Sequence, residues 1–99
     1  MTGKELLEGI ADVFEFNPDA WTRHSSAKDD FGDATPSDSE SASRWCIVGA
    51  LWTNKASRKV EKLVDKTAYS LYGKDILTVN DVYGREAVVR VLRRAVTKL

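Results

Sequence analysis

Cys46, His24 and the Asn80-Asp81 pair are the residue types of a cysteine-nucleophile site. In such a site a base draws the proton from the thiol, and a third polar group orients the base. The chain holds one cysteine and one histidine, so any such site has only these members. Nothing in the local sequence ties them together. Cys46 lies inside an apolar run, and His24 opens a polar stretch. Free cysteine is commonly a small buried hydrophobe, and Asn and Asp favour turns and caps. The plainer expectation is a structural thiol, a turn at Asn80-Asp81 and no catalytic residue. Asp29-Asp30-x-x-Asp33 offers three carboxylates for a weak Ca²⁺ contact, yet the carboxylate at the twelfth position of an EF-hand loop is missing. One cysteine and one histidine give no zinc spacing, and no glycine-rich phosphate loop is present. Neither a metal nor a cofactor is expected.

A second candidate is the basic face formed by Arg90, Arg93, Arg94 and Lys98. It raises nucleic acid as a partner, but a helix-turn-helix joins its helices through about 3–4 residues. Here the segment from Gly73 to Asp81 intervenes. The arginines also complement the negative end of their own helix. Overall charge is zero, which removes the simplest argument for nucleic acid or an anionic membrane. The balance is uneven along the chain. Residues 1–43 carry ten acids against three bases, and residues 44–99 carry five against twelve. Opposite charges are expected to meet within one domain.

The elements that position these residues follow from periodicity. Trp45 to Trp52 is eight apolar or small residues, far short of the roughly 20 that span a membrane. It reads as a buried helix with a bulky face (Trp45, Val48, Trp52) and a small face (Cys46, Gly49, Ala50, Thr53). The Thr35-Pro36 start signal places its beginning between Pro36 and Ser43, and its end near Thr53-Asn54. Thr2 and Glu5 have capping-box spacing before a helix from Gly3 to Phe16. Ser57 to Tyr72 is amphipathic, with Gly73 as its stop. A last helix from Val82 or Arg85 to Lys98 buries Val88, Val89, Leu92, Ala95, Val96 and Leu99. Ile76-Leu77-Thr78-Val79 is β-prone and suits pairing with the segment around Trp21. The stretch at about 25–34 is polar and reads as a mobile loop. The expected architecture is mainly α, a compact bundle of about four helices around the central one, with room for a short two-stranded β ribbon. Ninety-nine residues suffice for a single globular domain.

The order of motifs resembles a family of small uncharacterised proteins of actinobacteria and their bacteriophages. The resemblance rests on Trp45-Cys46-x-x-Gly49-Ala50-Leu51, Asn80-Asp81 with Gly84-Arg85, and Val91-Leu92-Arg93-Arg94-Ala95. The aromatic residue often found before Asn-Asp in that family is Val79 here. The resemblance implies a phage or host cytoplasm as context and carries no reaction. With no apolar leader after Met1, a soluble cytoplasmic protein is expected. Elimination then favours action by binding another protein. The alternatives are a cysteine-dependent enzyme using Cys46 and a nucleic-acid-binding protein using the basic helix. Partner identity and oligomeric state are left open by the sequence.

Overall fold

Helix α1 (Gly3–Phe16) begins where Thr2 and Glu5 close a capping box, each side chain bonding the other's backbone N–H. It stops at Asn17, ahead of a 3₁₀ turn at Pro18–Ala20. The computed structural model describes residues 1–99. Three two-residue strands follow, β1 (Ala27–Lys28), β2 (Ala34–Thr35) and β3 (Arg44–Trp45), in an antiparallel sheet ordered β2-β1-β3. Then come α2 (Ile47–Thr53), α3 (Arg58–Tyr72), the single turn α4 (Ile76–Thr78) and α5 (Arg85–Val96). A π-helical turn, Val79–Tyr83, joins α4 to α5.

The core lies where α1 and α3 meet α5. Leu7, Phe14, Val64, Val88 and Leu92 are fully buried there. Ser57 caps α3 through its hydroxyl, and Gly73 ends it at φ 70°, a left-handed conformation that glycine adopts without a Cβ clash. The charge asymmetry resolves between the outer helices. Arg93 of α5 pairs with Asp12 (2.8 Å) and Glu15 (3.0 Å) of α1, so the acidic half does meet the basic half. The acceptors hold the Arg93 guanidinium above its already high pKa, Asp12 contributing most.

Four expectations need correction. There are five helices and three strands, where about four and a two-stranded ribbon were expected. The central helix starts at Ile47, because β3 claims Arg44 and Trp45. Upstream, Ser39 diverts the backbone into turns by accepting from the Ser41 N–H, the usual way serine competes with helix. Ile76–Val79 is helical and pairs with no strand. Asp75 caps it through Thr78 N–H, Asp65 accepts from Ile76 N–H, and Ile76 and Val79 are buried one turn apart. Local capping and burial thus outweigh β propensity. Trp21 instead bridges to Trp45 in parallel. Finally, Trp52 is 58% exposed and Leu99 is 48% exposed, so neither belongs to the core. Separately, the polar stretch at about 25–34 holds β1 and the first residue of β2.

Candidate functional site

The site is built outward from Asn80, a fully buried residue of the π-helical turn. Its Oδ1 accepts from the Trp21 indole N–H (2.8 Å) and from the Ile47 backbone N–H (3.0 Å). Its amide nitrogen donates to the Thr22 carbonyl (3.1 Å) and to Asp81 Oδ1 (3.0 Å). One side chain therefore ties the start of α2, the segment after the 3₁₀ turn and the π-helical turn together. Asn80-Asp81 lies within the π-helical turn that joins α4 to α5. Asn80 is a buried polar junction whose bonding capacity is filled, the condition under which such a group stabilises.

Asp81 extends the junction to the surface. Its Oδ1 also accepts from the His24 backbone N–H (3.1 Å), and Oδ2 lies 3.8 Å from His24 Nδ1. His24 sits at φ 70°, unusual for a residue with a side chain. Arg23 donates to the Asp81 carbonyl (3.2 Å) and lies over the Trp21 ring. Cys46 caps α2, its Sγ accepting from the Gly49 N–H at 3.3 Å. Gly49 is required at that place, since a Cβ there would run into the Ser26 carbonyl, whose carbon lies 2.9 Å away. The small face of α2 thus permits a close approach, made by the backbone before β1 and not by a helix.

Cys46, His24 and Asp81 line one cleft of about 260 Å³, walled by Val48, Trp52 and Leu77. Cys46 is 3% exposed. Burial pushes its pKa up, the Gly49 and Val48 amides oppose this in part, and the Asp81 charge adds a smaller upward push. A nucleophilic cysteine needs the opposite shift. No hydrogen bond joins His24 to Cys46.

A second cavity, about 250 Å³, runs between α1 and α2. Leu6, Ile10, Val13 and Phe14 form one wall, Trp45 and Ala50 the other, with Gly9 on the α1 side. Trp45 is held by its indole N–H, which donates to the Ser37 carbonyl (3.0 Å), and Thr53 donates to the same oxygen (3.0 Å).

A family of unknown function, DUF6197, matches residues 1–98. The chain belongs to this family. No curated protein and no solved structure matches it.

In this DUF6197 chain the basic face is partly committed. Arg93 is engaged by α1, and the Arg90 guanidinium lies 5.9 Å from the Tyr72 ring centre. Arg94 and Lys98 are exposed without an ion-pair partner. In the acidic stretch, Asp29 Oδ1 accepts from the Phe31 and Asp33 amides and so closes a turn. Sequence reasoning missed Asn80 as a junction and the α1–α2 groove altogether. The groove did leave a signal: Gly9, inside an otherwise strong amphipathic pattern, is a residue that a helix interior disfavours.

Proposed function

We propose that this DUF6197 chain is a small soluble cytoplasmic protein, actinobacterial or encoded by a phage of such hosts. In this reading it acts as one domain that binds another protein through the α1–α2 groove. The observation that carries the reading is Gly9. Glycine inside a helix costs roughly 1 kcal/mol against alanine, and the fold gives a reason for it elsewhere. At Gly3 a Cβ would meet Val60 at 2.7 Å, and at Gly49 it would strike backbone. At Gly9 a Cβ would meet nothing within 4 Å. The space over Gly9 is not used by the chain itself, and it opens onto an apolar groove. An apolar side chain of a partner, seated against Ile10, Val13 and Trp45, would use it. Contacts of this kind, apolar anchors in a preformed pocket, dominate the energetics of many interfaces.

The test compares capture from an actinobacterial lysate by immobilised wild type and by Gly9→Leu, whose side chain fills the groove. A specific partner should be retained by the first and lost from the second. A partner retained equally by both would refute the groove as its seat.

A second reading, a cysteine-dependent enzyme, is favoured by one observation, the shared cleft of Cys46, His24 and Asp81. It requires the thiol to be reactive in the native protein, which thiol labelling measures directly.

A further inference from the structure

The cleft beside Asp81 has features that neither the groove nor a nucleophilic thiol explains. Asp81 Oδ1 is doubly used, by the His24 and Asn80 N–H groups, while Oδ2 accepts no hydrogen bond and lies 3.8 Å from the imidazole. The carboxylate side chain is 25% exposed. Half of it is therefore a free acceptor facing partial solvent. Ser25 is another lining residue, and its Oγ is buried without any partner. Buried hydroxyls are ordinarily bonded, so this one is an exception. The facing wall is apolar and solvent-accessible. Trp52 is 58% exposed and Leu77 45%, so both offer apolar surface to a ligand. Arg23 directs its guanidinium to the Asp81 carbonyl and the Trp21 ring, and it is not among the lining residues. Asp81 is thus the one permanent charge in the lining.

We propose that this cleft binds a primary alkylammonium group, with the ammonium on Asp81 Oδ2 and its alkyl stem along Leu77 and Trp52. The chemistry fits each part. An ammonium brings three donors, and Asp81 Oδ2 has no hydrogen-bond donor of its own. Its charge compensates the only permanent charge of the cleft, and an indole face attracts a cation beyond its apolar contact. A neutral alcohol of equal length would match the wall but not the carboxylate. An anion would be repelled. The same chemistry is found in a lysine side chain of a polypeptide and in a free small amine. This proposal is independent of the α1–α2 groove.

The experiment is a titration of the ¹⁵N-labelled protein followed by amide and indole N–H shifts. The probes are n-butylammonium, Nα-acetyl-lysine methylamide and, as the neutral control, 1-butanol. Both amines should give saturable shifts at the His24 and Asp81 amides and the Trp52 indole, and butanol should not. Tighter binding of the lysine amide assigns the site to a polypeptide lysine, and tighter binding of butylammonium assigns it to a free amine. Asp81→Asn keeps an oxygen acceptor for the His24 N–H but removes the charge, and should weaken both amines by about tenfold or more, a difference of roughly 1.4 kcal/mol. Trp52→Ala, at an exposed position that the fold does not need, should weaken them as well. Absence of saturable shifts with either amine, or amine affinity unchanged in both variants, would overturn the proposal.

Discussion

The indole N–H of Trp21 donates to the side-chain oxygen of Asn80 at 2.8 Å, joining residues 59 positions apart in the chain. Trp21 itself is half-buried and packs against the core, and the bond holds its polar edge. The same oxygen receives the first N–H of α2, that of Ile47. Three segments distant in sequence therefore depend on one amide.

Asn80→Ala should accordingly be among the most damaging single substitutions. It strands the Ile47 N–H and the Thr22 carbonyl in the interior. Each buried group left unpaired costs about 1–3 kcal/mol, a large share of the 5–15 kcal/mol that typically holds a domain together. Urea unfolding should show a midpoint far below wild type. A midpoint within error of wild type would mean that water replaces the amide without loss.

Two glycines give opposite expectations for one substitution. Gly49→Ala drives a methyl into the Ser26 backbone, and overpacking of this kind costs roughly 1–3 kcal/mol. Gly9→Ala adds a methyl into open space within a helix and should raise stability by about 1 kcal/mol. Thermal melts of the pair decide it. Shifts of the same sign would contradict the packing described for one of them.

The acid side of the stability profile should contain a contribution from the first helix. The Glu5 carboxyl is held below its ordinary pKa by the Thr2 backbone N–H and then by the Thr2 hydroxyl. A group whose pKa is lower when folded contributes stability above its unfolded pKa, and that contribution is lost as pH falls through the folded value. The NMR titration of Glu5 should therefore lie below the usual glutamate range, and Thr2→Ala should move it upward. An unmoved titration would show that the capping box is open in solution.

Cys46 should react slowly with a thiol reagent in the native protein and quickly once unfolded. Its Sγ is buried, caps α2 and has its pKa pushed up by that burial. Rapid native labelling would favour the enzyme reading.

The stretch at about 25–34 is proposed to be mobile at its tip. Phe31 is 90% exposed there, between the paired residues of β1 and β2. Chymotrypsin should cut after Phe31 before it cuts after the buried Phe14. Resistance at Phe31 would mean that the tip is packed in solution.

The parts of the fold legible in the sequence were those governed by local rules. Thr2 and Glu5, Ser57 and Gly73 marked helix ends because caps act within a few residues. What the sequence hid was set by distant partners. The β-prone Ile76–Val79 turned helical because Asp65, from α3, accepts its first N–H, and Arg44-Trp45 became a strand because β1 was available to pair. Cys46, His24 and Asp81 are candidates by residue type alone, and their meeting in one cleft has no local signature in the sequence. Asn80 looked like a turn residue because nothing near it in sequence shows the three segments it joins. Gly9 was legible as a cost to α1, but its purpose needed the empty space above it.

That empty space is what the proposed partner would fill. The direct measurement takes wild type, Gly9→Ala and Gly9→Leu and records, for each, the melting temperature and the amount of the captured partner. Gly9→Ala should melt higher than wild type while partner binding falls from wild type to alanine to leucine. Binding that stays equal across the three would contradict it, because the glycine would then serve neither the fold nor a partner.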